Sequence, residues 1–181
     1  MRANKGRSDG CAVHTSIDRT NSRDQRPLLS PLLNNLLPVR PFRPVLDRDA
    51  GRRHTLACEI VERSARRPCV LTIQALAEFF RAVTRKGIVP TTTADTLVRD
   101  WMLLFPTAAA DAAALDGALV AVEHGGFSFW DALLMATVEG AGCTAVISED
   151  MADGATIGSA TVRHPFAGDG LADAVLPLLS A

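Results

Sequence analysis

Three acidic side chains in the last third of the chain could hold a divalent cation. Asp131 falls in the first turn of a predicted helix, because Ser128 supplies an N-cap three residues earlier. Glu149 and Asp150 follow the apolar run 143–147, which predicts a short strand buried on both faces. Ligands of open α/β sheets bind at the carboxyl ends of the strands, and Mg²⁺ prefers oxygen ligands. The spacing therefore allows a magnesium site formed by a helix and a strand.

Each of these acids also has a purely structural interpretation. Ser128 and Asp131 make a capping box, and the helix dipole favours a carboxylate at this position without any function. Asp150 and Asp153 can equally be turn formers, since the sequence Met-Ala-Asp-Gly around Asp153 is ordinary turn chemistry. Spacing alone leaves both interpretations open.

The elements that must position these residues alternate between helix and strand. Apolar spacing predicts helices over residues 55–66, 74–86, 93–104, 111–123 and 131–139. Strands are predicted over residues 69–73, 144–148 and 161–163, with an extended link at 105–108. Helices separated by short strands favour an α/β fold with a mostly parallel sheet.

The segment 127–166 resembles the second half of a PIN domain, the small α/β nuclease fold of VapC-like toxins. Four features follow the order of the family, namely Trp130-Asp131-Ala132, Ser148-Glu149-Asp150, Asp153-Gly154 and Pro165-Phe166. A weaker match over residues 70–80 puts Glu78 where the family has an acidic ligand on a helix. Helical spacing alone places Glu78 opposite the apolar face, as a solvated residue, so its ligand role is implied by the resemblance only.

The resemblance implies a three-layer PIN-like fold with a mostly parallel central sheet flanked by helices. It also implies a metal-dependent endoribonuclease, the toxin of a toxin–antitoxin pair, in which metal-activated water cleaves RNA phosphodiesters. On this basis Glu78, Asp131 and Asp150 are catalytic residues and ligands of Mg²⁺ or Mn²⁺, and Asp153 is a further ligand. Ser148 would contact a phosphate or orient the acids. The implied partners are RNA, a small cognate antitoxin and a second copy of the chain.

The chain departs from the family pattern at its N-terminal end. In the family, the first strand ends in a metal-binding aspartate, which should stand roughly nine residues before Asp47. That position is Pro38, and together with Pro41 and Pro44 it excludes a central strand, because proline donates no ladder hydrogen bond. The family's first strand and its acidic ligand are therefore predicted to be missing. In an active enzyme, either the three remaining acids suffice or Asp47 or Asp49 takes the place of the lost acid.

This departure sets the predicted domain organisation. We expect an atypical leader over residues 1–44, either disordered or mistranslated, a PIN-like nuclease domain over 45–168 and a C-terminal tail over 169–181. Loss of one acidic ligand weakens the hold on a cation, which predicts impaired turnover. The alternative is a catalytically inactive PIN-fold binding protein or the product of a damaged reading frame.

Charge is divided unevenly along the chain. Residues 1–86 hold 17 Lys/Arg against 8 Asp/Glu, a net +9, whereas residues 87–181 hold 2 against 12, a net -10. The basic half can attract a phosphate backbone or neutralise the acidic half, and composition does not decide between them. With 5% aromatic residues and no tyrosine, the sequence argues against the base-stacking platform of single-strand-binding proteins.

Several other classes of site are excluded by spacing. Cys11, Cys58, Cys69 and Cys143 form no Cys-x-x-Cys pair, and the histidines show no zinc-ligand spacing, so buried thiols in a reducing cytosol are expected. The sequence has no Gly-x-Ser-x-Gly, phosphate-loop or dinucleotide motif. It also lacks an apolar run of about 18 residues. A cytoplasmic protein without membrane contact is predicted.

Overall fold

The computed structural model describes residues 51–85 and 87–180. The predicted leader, Asp47 and Asp49 lie outside these residues. The helices are α1 (Arg52–Ser64), α2 (Ile73–Arg85), α3 (Thr91–Leu104), α4 (Ala112–His124), α5 (Phe129–Gly140) and α6 (Leu176–Leu179). The strands are β1 (Leu71–Thr72), β2 (Thr107–Ala108), β3 (Ala145–Ile147), β4 (Thr156–Ile157), β5 (Ala160–Arg163), β6 (Phe166–Ala167) and β7 (Gly170–Leu171). Helices and strands are mixed along the chain, which confirms the α/β prediction.

The five helices predicted from apolar spacing all occur, with ends shifted by a few residues. The strand predicted over 69–73 is reduced to β1, because Ile73 already begins α2. The sequence did not predict β4, β6, β7 or α6. Each of these has two to four residues, too few to show a period of 2 or 3.6.

The prediction of a mostly parallel sheet is confirmed only in part. Strand β1 pairs in parallel with β2, and β3 pairs in parallel with β5. Strand β4 joins the other edge of β5 in antiparallel orientation, and β6 and β7 form an antiparallel pair. Among the described residues these strands make three separate small sheets rather than one continuous central sheet.

Two apolar clusters pack against opposite faces of β3. Ala145 and Ile147 belong to the cluster formed mainly with α1, α2 and α3, whereas Val146 belongs to the cluster formed with α5. Alternation of this kind follows from the period of 2 along a strand. Leu71 and the preceding Val70 divide between the same two clusters. Strands β1 and β3 therefore lie between a helical layer on each side.

The junction of α5 with β3 places the first residues of the loop that follows the strand. The amide of Gly142 donates to the carbonyl of Glu139, and the amide of Cys143 donates to that of Val138, which is the Schellman pattern that ends a helix. Gly142 has φ 81°, a left-handed conformation that favours glycine. The helix predicted over 131–139 thus ends within one residue of its predicted end.

The C-terminal residues pack on the first cluster. Val175 and Leu179 are buried there, within the range predicted as a tail. In the part of the chain that the structure describes, no helix has the length and apolar character needed to cross a membrane.

Candidate functional site

A cavity of about 730 Å³ opens between α2, α5 and the residues that follow β2. Its lining combines two carboxylates, one guanidinium, an amide, a hydroxyl and several apolar side chains: Ile73, Gln74, Ala77, Glu78, Arg81, Ala109, Ala110, Ser128, Trp130, Asp131 and Leu133. Two of the predicted ligands, Glu78 and Asp131, therefore reach one cavity although they lie on separate helices. We call this feature the α2–α5 cavity.

Asp131 is held at the first turn of α5 by its own helix cap. Ser128 is the N-cap residue, and its hydroxyl oxygen accepts from the backbone N–H of Asp131 at 3.3 Å. The same hydroxyl donates to Asp131 Oδ2 at 2.6 Å. The cap predicted from sequence is confirmed, and it fixes the carboxylate at the cavity wall. The structural and functional interpretations of Asp131 are therefore compatible.

Glu78 is positioned by Gln74, one helical turn earlier on α2. Gln74 Nε2 donates to Glu78 Oε1 at 2.8 Å and to the backbone carbonyl of Trp130 at 2.9 Å. One amide thus ties α2 to the first turn of α5 and orients a carboxylate between them. This link fixes the two acid-bearing helices relative to each other.

The donor atoms of the α2–α5 cavity suit a hard divalent cation. Gln74 Oε1 is buried and has no hydrogen-bond partner among the described residues, and it adds an amide oxygen to the two carboxylates. Mg²⁺ is commonly held by one or two carboxylates, with water and substrate phosphate completing its shell. Glu78, Asp131 and Gln74 would hold such an ion. Over residues 51–85 and 87–180, no three His, Cys, Asp or Glu side chains gather closely enough to share a metal ion.

The other predicted site residues lie in the loop after β3, which we call the β3 loop (residues 148–153). Ser148 is fully buried, and its hydroxyl accepts from the amide of Asp150 at 3.2 Å. Asp153 Oδ1 accepts from the backbone N–H of His164 at 2.8 Å, which joins the loop to the end of β5. Ser148, Asp150 and Asp153 are not among the residues that line the α2–α5 cavity.

The β3 loop also approaches the basic helix α1. Arg53 Nη1 lies 3.9 Å from Glu149 Oε2, and the Arg53 guanidinium carbon lies 5.6 Å from the ring centroid of Phe166. Arg53 thereby connects two of the segments that carry the family resemblance. It is mostly exposed, so the ion pair contributes little to the free energy of unfolding.

Among the cavity residues that were not predicted as parts of the site, Gln74, Arg81 and Trp130 have side chains suited to contact a ligand. Gln74, Glu78, Arg81 and Arg85 follow each other at intervals of four, three and four residues, which places them on one face of α2. That spacing was available as a signal. The 60% exposure of Trp130 was not, because it depends on how α5 packs.

The described cysteines agree with the prediction of buried thiols in part. Cys69 and Cys143 are buried and Cys58 is half-buried, and all three are free. Burial, with a smaller contribution from Cys69, raises the pKa of the Cys143 thiol to about 12. The thiol of Cys143 is therefore protonated at neutral pH, a form that does not ligate metals. Cys11 lies outside the described residues.

Comparison with known proteins finds similarity at the level of structure and none at the level of sequence. No protein-family model matches the chain, and no curated protein sequence matches it. The chain is similar to the crystal structure of VapC20 from Mycobacterium tuberculosis, described as a toxin that cleaves the sarcin-ricin loop. The identity is 17%, the TM-score is 0.48, and the match covers 67% of this chain and 91% of the other. At this TM-score the likeness alone establishes neither fold nor function.

Proposed function

We propose that this protein is a cytoplasmic, metal-dependent endoribonuclease of the PIN type and the toxin of a toxin–antitoxin pair. The observation that carries the proposal is the meeting of Glu78 and Asp131, from separate helices, in one cavity that Gln74 also lines. Among the described residues, the buried Gln74 Oε1 has no hydrogen-bond partner. The order of residues in the segment 127–166 supports the same family. The cognate antitoxin and a second copy of the chain are proposed partners.

The residues of the cavity have separate roles in this proposal. A divalent ion bound by Glu78 and Asp131 would supply charge neutralisation at the phosphate and an activated water. Gln74 holds the Glu78 carboxylate in place, and the Ser128 hydroxyl holds that of Asp131. Both acids are thereby oriented before substrate arrives, which lowers the cost of reaching the reactive geometry. Asp150 and Asp153 stay proposed ligands, and Ser148 a proposed auxiliary residue.

A second candidate function is a PIN-fold binding protein without nuclease activity. It is favoured by the lack of any three-residue cluster of metal-ligating side chains among the described residues. A two-carboxylate site can hold Mg²⁺ more weakly than a site with more charged ligands. The two candidates differ in whether the bound RNA is cleaved.

The deciding experiment measures RNA cleavage by the purified full chain in Mn²⁺, in Mg²⁺ and in EDTA. We expect cleavage in either metal and none in EDTA. Glu78→Gln and Asp131→Asn should each lower the rate by more than about 100-fold, above the 10- to 100-fold effect typical of residues that only orient a metal ligand. Asp150→Asn and Asp153→Asn should have smaller effects, since neither residue lines the cavity.

Asp95→Asn is the matched control, because Asp95 is an exposed acid on α3 that pairs with Arg99 away from the cavity. Its rate should equal that of the parent. Binding of Mn²⁺, followed by electron paramagnetic resonance, gives a readout independent of turnover. Full activity in Glu78→Gln and Asp131→Asn would rule out this site. Binding of Mn²⁺ and RNA without cleavage by the parent would favour the second candidate.

A further inference from the structure

Trp130 lines the α2–α5 cavity, and its large aromatic side chain is in contact with solvent. It is 60% exposed, whereas Trp101 is buried at 7% and packs on Phe79 at a centroid distance of 4.7 Å. Burying an aromatic side chain of this size is strongly favourable, so an exposed one at the wall of a cavity marks a place where another molecule can cover it.

The position of Trp130 is fixed on two sides. Its ring meets that of Phe129 edge-on, with centroids 5.2 Å apart and planes inclined by 69°. Its backbone carbonyl accepts from Gln74, the residue that also orients Glu78. The indole therefore stands at the wall of the cavity that Glu78 and Asp131 also line, and little conformational entropy is lost when a flat group stacks on it.

The part of this surface that α2 contributes is basic. Glu78, Arg81, Ala82 and Arg85 line a second cavity of about 580 Å³, which shares Glu78 and Arg81 with the α2–α5 cavity. Within the described residues, neither Arg81 nor Arg85 pairs with a carboxylate. Two guanidinium groups one turn apart on one helix face, with no carboxylate partner in the described part of the chain, suit successive phosphates of a nucleic-acid strand.

We propose that this surface binds single-stranded RNA, with a nucleobase stacked on Trp130 and the adjoining phosphates on Arg81 and Arg85. The proposal rests on the proposed nuclease function, since it places the scissile bond beside Glu78 and Asp131, between the aromatic and the basic ends. A base held in a duplex is already stacked on its neighbours and cannot lie on the indole. Selection for unpaired bases follows, whichever base is bound.

Fluorescence tests the proposal directly, because the chain has two tryptophans and no tyrosine. A ten-nucleotide oligouridylate is titrated into the Asp131→Asn variant in EDTA. EDTA prevents metal-dependent cleavage, and the substitution lowers the repulsion between the site and the phosphates. We expect quenching at the red edge of the spectrum, where the exposed Trp130 emits. Neither a blunt-ended RNA duplex nor a glutamate decamer should produce it. Equal quenching by the decamer would assign the surface to acidic peptides and overturn the proposal.

Substitution gives the magnitude. Trp130→Ala should weaken oligouridylate binding by about 5- to 150-fold, as expected for the loss of one base–aromatic stack, and Trp130→Phe should retain part of the affinity. Leu103→Ala is the matched control, since Leu103 is 87% exposed but lines neither cavity. Arg81→Ala and Arg85→Ala should each reduce the salt dependence of log Kd by about 0.7. Unchanged Kd in Trp130→Ala would overturn the proposal.

Failure of this proposal and failure of the nuclease proposal are distinguishable. If the parent binds RNA through Trp130 but cleaves nothing in Mn²⁺, the nuclease function is lost and the binding surface stands. If the parent cleaves RNA and Trp130→Ala keeps both its Kd and its KM, the nuclease function stands and the stacking role is wrong. Trp130→Ala should keep the parent melting temperature because the ring is mostly exposed.

Discussion

The α2–α5 cavity and the β3 loop carry the acids that the sequence singles out, and they use their polar groups differently. In the cavity, Gln74 and Ser128 orient Glu78 and Asp131, and the Gln74 amide oxygen has no partner within residues 51–85 and 87–180. In the β3 loop, the predicted site residues themselves accept hydrogen bonds from backbone amides, as when Asp153 accepts from the N–H of His164. Glu78 and Asp131 therefore have surroundings that suit a bound ion, whereas a ligand role for the acids of the β3 loop rests on the family resemblance alone.

Among the substitutions that test the difference between the cavity and the loop, we expect the largest effect from a change at Gln74. Gln74→Leu keeps a similar volume but removes the hydrogen bonds to Glu78 and to Trp130 that set the cavity apart from the loop. We expect metal-dependent cleavage to fall by about 10- to 100-fold, the usual effect of losing a residue that orients a metal ligand. The measurement is kcat/KM with Mn²⁺, together with Mn²⁺ affinity.

Thr84→Val on the same helix is the control for Gln74→Leu. Among the described residues, the Thr84 hydroxyl donates to the carbonyls of Phe80 at 2.7 Å and Arg81 at 3.5 Å, both within α2, so its loss should leave cleavage unchanged. If Gln74→Leu cleaves like Thr84→Val, the orientation of Glu78 by Gln74 has no role in the reaction, and the cavity loses its distinction from the loop.

The free energy of unfolding should depend on pH through Cys143, which lies just before β3, the strand that the β3 loop follows. Its pKa is about 12 in the folded chain, above the ordinary thiol value, because burial disfavours the thiolate. The neutral thiol therefore stabilises the fold fully below the unfolded pKa. This contribution is lost as pH rises from about 9 toward about 12, at no more than about 1.4 kcal/mol per pH unit.

Urea unfolding at pH 8, 9 and 10.5 under reducing conditions, in the parent and in Cys143→Ala, measures this effect. The free energy of unfolding should fall more steeply with pH in the parent, because the variant has no thiol at position 143. Parallel curves for the two proteins would show that Cys143 does not ionise on unfolding in this range.

The smallest expected effect is on the free energy of unfolding and comes from a substitution in the β3 loop, at Asp153. Asp153→Ala removes the acceptor for the amide of His164 and should lower the free energy of unfolding by about 1 kcal/mol. Asp173→Ala, another exposed acid, should change it by less than about 0.5 kcal/mol. If Asp153→Ala instead lowers Mn²⁺ affinity as much as Glu78→Gln does, Asp153 is a ligand and the two regions form one site.

Local chemistry explains how much of this molecule could be predicted. The N-cap at Ser128, the end of α5 at Gly142 and the helical spacing of α2 depend on residues within one or two turns of each other. Such features can be predicted from a short stretch of sequence, because no distant residue takes part in them. The resemblance of the segment 127–166 to a PIN domain was also legible, because it rests on the order of short motifs.

The meeting of Glu78 with Asp131 was expected only through the resemblance, and the part taken by Gln74 was not expected. Both depend on the angle and distance between α2 and α5, which are set by packing and by a hydrogen bond between residues far apart in the chain. The exposure of Trp130 and the position of Asp150 outside the cavity depend on the same packing. The helices, their caps and the candidate acids follow from short-range periodicity and hydrogen bonding, so the amino-acid sequence specifies them directly. Which acids share a cavity depends on how separate elements pack, so that grouping becomes visible only in the folded chain.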